Sequence, residues 1–378
     1  MVPNDFPTAS SVDRQAAFWL VVTVAFLALL WMLGDILLPF VVGAAIAYFL
    51  NPLADRLARA GLGRTSAAVL IILLFVLVLL LAIMLLGPLI FDQVRQLAET
   101  LPGDLHRLQA VIEEWAKGWF GAGYDSISKS FRSGLDGLAE SWSGSMTWAL
   151  RQVWSRGLAL VNLLSLLLIT PVVAFYLLAD WPGVVDRVDR SLPRDHAPTV
   201  RRLGGEINAA VSAFVRGQGT ICLILAAIYA VGLTLIGVRY GLVIGLLVGA
   251  MSFVPFVGWA LGLAIAGAIA LAQGWPDLSL LAKVVALFAF TSILDTVLLS
   301  PKIVGPRVGL HPVWLIFSVL AFGSLLGLVG VLIAVPVAAA IAVLVRFALG
   351  VYLESPIYRG HEPPPAPLPP PPASGPAP

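Results

Sequence analysis

Between Arg64 and Asp92 no side chain carries a charge, and residues 66 to 91 are mostly Leu, Ile and Val until Gly87 and Pro88 interrupt them. As a helix that run measures about 39 Å, enough to cross the roughly 30 Å hydrocarbon core of a bilayer. Apolar on every side, it has no face to offer water. The run alone commits the chain to lipid. The remainder agrees, since 59% of residues are hydrophobic and 12% charged, against about 25% charged in a soluble domain. With a mean hydropathy of +0.95, the chain lacks the polar surface of a water-soluble enzyme.

The other apolar runs set the order of segments. Residues 16 to 33 are uncharged and just long enough for a first span; only Arg14 stands close before them and no Ala-x-Ala-like site follows, which favours a retained helix over a signal peptide. Residues 36 to 50 return across the bilayer after Asp35, and their exit carries Arg56, Arg59 and Arg64 against Asp55, a basic loop that reads as cytoplasmic. Residues 1–91 therefore read as an N-terminal three-helix membrane region.

Residues 92–156 differ in kind, with seven Lys/Arg and eight Asp/Glu among apolar positions at helical spacing, such as Leu97, Leu101, Leu105, Leu108 and Ile112. Parity makes this an amphipathic extracytoplasmic helical region. Its Trp115, Trp119, Trp142, Trp148 and Trp154 suit either a membrane interface or a small helical subdomain packed on itself. Residues 157–206 hold a fourth span ending at Asp180 and a cytoplasmic loop with Arg187, Arg190, Arg194, Arg201 and Arg202. From 207 to 346 charge nearly vanishes, and residues 347–378 form a tail ending in a Pro-rich, polyproline II or disordered run that serves as a partner ligand or as a plain extension.

Within 207–346, the stretches 240–272 and 313–345 are each too long for one straight span, about 50 Å as helix. Each carries breakers near its middle: Ser252, Pro255 and Gly258 in the first, Gly323, Ser324, Gly327 and Gly330 in the second. Re-entrant helical hairpins would absorb both length and breaks, with irregular backbone lining a cavity. Long tilted or kinked spans are the alternative. Segments 207–272 and 280–345 share one organisation, a span followed by a broken segment, so an inverted repeat of the transporter kind is expected. Lys302 and Arg307 before the second hairpin would then face the cytoplasm. The expected fold is an all-α polytopic membrane protein with six to eight membrane segments.

The order of several motifs resembles the AI-2E family of bacterial membrane proteins over roughly residues 16 to 350. They are Thr170-Pro171-Val172-Val173-Ala174-Phe175-Tyr176-Leu177-Leu178-Ala179-Asp180, Arg216-Gly217-Gln218, Ser252-Phe253-Val254-Pro255-Phe256-Val257-Gly258, Pro301-Lys302-Ile303-Val304-Gly305 with Gly309-Leu310-His311-Pro312, and Gly327 through Gly330 to Pro336. The resemblance implies a polytopic transporter. Some members are described as exporters of the signal autoinducer-2 and others as sodium/proton antiporters. Many relatives place an amide or acid a few residues before the Pro-Lys motif, whereas here Val297, Leu298, Leu299 and Ser300 precede it and the acid is Asp295.

Asp295 stands in an apolar helix near Thr291 and Ser300. A carboxylate inside a span costs about 2.5–3.5 kcal/mol on insertion scales, so it reads as a proton, cation or substrate group facing a cavity, or else as an acid paired with Lys302. Arg216 and Gln218 lie in the fifth span; the Arg needs an acid or an anionic ligand, or it snorkels beside Glu206. Broken helices expose backbone groups that bind polar solutes, which makes Ser252, Pro255, Gly258, Gly323, Ser324 and Gly327 substrate-pathway residues, or small residues for helix packing. Tyr176 and Asp180, at a span's cytoplasmic end, suit a gate or an interface anchor.

No Walker A loop, GxSxG elbow or HExxH motif occurs, so neither ATP drive nor hydrolysis has support. A lone Cys222 and scattered His106, His196, His311 and His361 suggest no metal, and no cofactor is implied. With 23 Lys+Arg against 21 Asp+Glu, no nucleic-acid footprint follows. The expected function is a non-enzymatic secondary transporter in the bacterial cytoplasmic (inner) membrane, both termini inside, exporting a small polar solute such as autoinducer-2 by alternating access. The alternatives are a monovalent cation (sodium)/proton antiporter and a non-transporting membrane scaffold. A homo-oligomer through Gly-rich faces is expected.

Overall fold

The computed structural model describes residues 21–22, 25, 32–120, 158–304 and 311–359. The first span at 16–33 falls largely outside them, as do Trp142, Trp148, Trp154, Arg307 and the Pro-rich run. Among the described residues the chain is helical with no strand. The elements are α1 (Gly34–Arg59), α2 (Arg64–Phe120), α3 (Leu158–Arg190), α4 (Ala197–Ile236), α5 (Gly241–Met251), α6 (Val257–Gly274), α7 (Ser279–Leu294) with a π-helical continuation (Asp295–Val304), α8 (Pro312–Glu354) and α9 (Pro356–Arg359). Among the described residues seven helices are long and apolar enough to cross a membrane, so the chain is a multi-pass membrane protein.

Helices α1 to α3 pack as one group around Ala47, Leu50, Ala54, Ala68, Ile71, Ala174 and Leu178. Small residues set the spacing, because in lipid helices gain by close approach more than by escaping water. At the end of α1, Arg64 ties all three helices together: its guanidinium pairs with Asp55, donates to Asn51 Oδ1 at 2.6 Å and gives its Nε–H to Leu178 O at 3.0 Å.

A second core joins α4, α5, α6 and α7 around Ile221, Leu225, Tyr229, Leu233, Val248, Ala266, Val284 and Phe288. Helix α5 runs antiparallel along α4 with almost no gap. A Cβ on Gly245 would lie 2.2 Å from Ala230 N, and one on Gly249 would lie 2.3 Å from Ala226 Cα. Only glycine permits that approach. Helices α5 and α6 form a hairpin whose two ends meet beside α4, where the Gln273 side chain accepts from Arg239 N at 3.0 Å and donates to Gly237 O at 2.9 Å. A thinner cluster of Phe214, Val215 and Val335, with Tyr48 packed on it, connects the two groups.

Two elements run further than the apolar pattern alone suggests. Residues 92 to 120 continue the preceding span, because α2 runs unbroken for 57 residues through Gly87 and Pro88 to Phe120. Its polar extension holds the mouth of the α5–α6 hairpin through Gln93, Leu97, Thr100 and Asp104, which share one helix face. Gln93 Oε1 accepts from Val243 N at 3.2 Å, the Thr100 and Tyr240 hydroxyls are 2.5 Å apart, and buried Asp104 lies 3.6 Å from Arg239. The Arg-rich stretch after Asp180 is mostly helix rather than loop, with α3 continuing to Arg190 and α4 starting at Ala197. There Arg201 binds both oxygens of Asp189 at 2.6 and 2.9 Å, so paired charges let both helices extend past the apolar region.

Candidate functional site around Gln218 and Cys222

Three interruptions of helical backbone gather on one level of α4. The first is the α5–α6 turn. Gln218 donates from Nε2 to Ser252 O at 2.5 Å, while the Ser252 hydroxyl turns back to Val248 O at 2.7 Å. Pro255 is half-buried in this turn, Phe256 adopts a positive φ of 68°, and a Cβ on Gly258 would lie 2.5 Å from Ser252 N. The turn is thus closed by glycine and anchored to α4 by one amide.

The second interruption is the π-helix after α7. Five residues per hydrogen-bonded turn place Ser300 under Asp295, and the serine hydroxyl donates to Asp295 Oδ1 at 2.9 Å. Asp295 is half-buried and has no ion-pair partner among the described residues, and Lys302 is exposed. The π-helix that carries it packs along α4. Thr291, fully buried, shares a 2.7 Å hydrogen bond with the Tyr229 hydroxyl and contacts Leu287 O and Phe288 O at 2.9 and 3.0 Å. Tyr229 was not among the expected site residues. Its signal was a phenol seven residues after Cys222 on one face of an apolar helix.

The third interruption is in α8, where Gly327 adopts φ 58° and ψ −136°. Phe322 and Gly330 meet so closely that a Cβ on Gly330 would overlap Phe322 O at 1.8 Å, and one on Gly323 would lie 3.0 Å from Val331. On a continuous helix positions eight apart are about 12 Å apart, so the chain folds back sharply at Gly327. Ser324 is exposed and donates its hydroxyl to Ala321 O at 2.8 Å. The second arm runs antiparallel to α4, with Val335 against Phe214 and Phe347 under Arg202 at 5.8 Å. Eight residues from Val335 back to Gly327, about 12 Å, brings this bend level with Cys222.

Arg216 is half-buried and gives its Nε–H to Ser212 O at 3.0 Å. Glu206 is 3.9 Å from Arg202 instead. Tyr176 and Asp180 stand apart on α3: Tyr176 is 65% exposed against Phe175, and Asp180 faces Arg187 at 3.3 Å. Beside the turn lies a crevice of about 520 Å³ between α1, α4 and the second arm of α8. Among the described residues no group of three or more His, Cys, Asp or Glu could hold a metal ion.

Comparison with known proteins agrees with this architecture. YueF of Bacillus subtilis strain 168, named as a transport protein, is 26% identical over 314 residues, covering 82% of this chain and 83% of its own. PerM of Escherichia coli strain K12, named as a permease, is 28% identical over 341 residues, covering 88% and 93%. A protein of Halobacillus andaensis named as a sodium-lithium/proton antiporter is 22% identical over 311 residues, covering 77% and 84%. A family model described as AI-2E family transporter matches residues 20–350, and on that extent the chain belongs to the AI-2E transporter family.

Proposed function

We propose that this transporter is a secondary, ion-coupled one, in which Asp295 carries the proton and a small polar solute such as autoinducer-2 is exported by alternating access. The observation that carries this reading is Asp295 itself: a carboxylate without an ion-pair partner among the described residues, in an apolar bundle, held by Ser300 at 2.9 Å. Such a group is stable when protonated or when a cation sits beside it, and exchange between those states is how ion coupling works. The α5–α6 turn and the Gly327 bend support alternating access. They approach one level of α4 from opposite ends, as re-entrant hairpins of an inverted repeat would. The setting we propose is the bacterial cytoplasmic membrane, with both termini inside and homo-oligomers formed through Gly-rich faces.

Sodium/proton antiport is the second reading. The relative named as a sodium-lithium/proton antiporter favours it, and Asp295 with the Ser300 hydroxyl supplies the oxygen ligands a small hard cation takes.

Proteoliposomes holding the purified protein and a pH-sensitive dye separate the two. With a proton gradient imposed, proton movement on adding sodium identifies antiport. Solute-dependent flux of autoinducer-2 with no response to sodium identifies the exporter. Flux unchanged in Asp295→Asn would refute the role of Asp295 in either.

A further inference from the structure

The crevice beside the α5–α6 turn is a different kind of site from the one around Asp295. Among the described side chains that line it, only Tyr48 carries a polar atom, and that hydroxyl is engaged by Asn208 at 3.3 Å. Its walls come from Ala45 and Phe49 of α1, Gly219 and Leu223 of α4, Ala250 of α5 and Pro336 of α8. A void of about 520 Å³ with such walls has no polar partners to hold water. Left empty, it forfeits the dispersion contacts of every atom around it. A small polar solute does not suit it; an acyl chain does.

Beside the lining residues of α4, on the same helix, stands a group that needs the opposite. Val215, one residue before Arg216, and Gly219, almost one turn after it, both line the crevice. The Arg216 guanidinium satisfies one N–H on Ser212 O. Among the described residues its four remaining N–H donors have no partner and no carboxylate pairs with it. A half-buried, unpaired guanidinium in an apolar helix calls for an anion, and its planar fork suits a carboxylate or phosphate bidentately.

We propose that the crevice and Arg216 together bind an amphiphile with an anionic headgroup, its chain lying between α1 and α4 and its carboxylate or phosphate resting on the guanidinium. The same chemistry is offered by a bilayer lipid with an anionic head and by a free long-chain carboxylate. The site does not use Asp295, and it stands or falls apart from the transport reading.

The test is binding of cis-parinaric acid, a fluorescent long-chain carboxylate, to the purified full chain in detergent. Arg216→Gln should weaken binding about tenfold or more, as loss of a charge-assisted pair does, and Arg216→Lys should retain part of it. Ala250→Phe, which fills the crevice from the turn, should abolish binding while leaving the elution profile monodisperse. Asp295→Asn should leave it unchanged. Displacement of the probe by phosphatidylglycerol but not phosphatidylcholine would support the site with a membrane lipid as its source; displacement only by free fatty acid would support it with a soluble anion. Equal affinity in wild type, Arg216→Gln and Ala250→Phe would overturn the proposal, as would equal binding of the uncharged methyl ester of the probe.

Discussion

The Ser300 hydroxyl donates to Asp295 across five residues at 2.9 Å, a spacing that π-helical register stacks and α-helical register would turn away by about 140°. Asp295→Asn keeps the size and the Ser300 contact but removes the titrating charge, so ion-coupled flux in proteoliposomes should vanish while thermal stability stays within about 1 kcal/mol of wild type. Ser300→Ala should lower flux without abolishing it, because it removes the hydroxyl that holds the carboxylate and leaves the carboxylate itself in place.

Gln218 holds the α5–α6 turn through a single amide on Ser252 O. Replacing it by Leu leaves that carbonyl without its partner, a cost of about 1–3 kcal/mol. The thermal midpoint in detergent should fall, and amide exchange should rise over 252–258 while α1 to α3 keep their protection.

Gly245 permits the α4–α5 contact, since its Cβ position is 2.2 Å from Ala230 N. Gly245→Val requires the backbones to separate and should yield protein that aggregates on size-exclusion chromatography. Gly204 of α4, with nothing within 4 Å of its Cβ position, serves as the contrast; Gly204→Ala should be neutral or stabilising by up to about 1 kcal/mol.

The α2 extension grips the hairpin mouth through buried Asp104, whose Oδ2 has no hydrogen-bond partner among the described residues and whose Oδ1 lies 3.6 Å from Arg239. Asp104→Ala releases Arg239 from this contact and should raise amide exchange at 238–243, read by mass spectrometry. If those amides stay as protected as in wild type, the extension does not restrain the mouth.

Asp277 caps the start of α7, accepting from Ser279 N at 2.9 Å and from the Ser279 hydroxyl at 2.7 Å. These hydrogen bonds, the hydroxyl's foremost, hold its carboxyl below the usual carboxylate range. A depressed folded-state pKa means the cap is fully present above the unfolded value of about 3.9 and is lost as pH falls through the lower, folded one. Protection at 279–282, taken relative to the intrinsic exchange rate at each pH, should therefore be flat from neutral pH down to about pH 4 and fall below it. Asp277→Ala should show the lowered protection at every pH.

Apolar run length and charge placement were enough to read a helical, multi-pass membrane chain, because burial of helices in lipid depends on composition summed over a window and not on which neighbours they meet. The breakers Ser252, Pro255, Gly258 and Gly327, and the unusual acid Asp295, were legible for the same reason: each is costly in an apolar helix whatever surrounds it. What the chain order could not express is contact between distant elements. That Gln218 meets Ser252, that Thr291 meets Tyr229, that α2 continues past Pro88 to grip Tyr240, and that α1 and α8 leave an apolar crevice beside Arg216 all depend on helix separation. That separation is set by close packing of small residues from helices far apart in sequence, such as Gly245 on Ala230, so only the tertiary structure decided it.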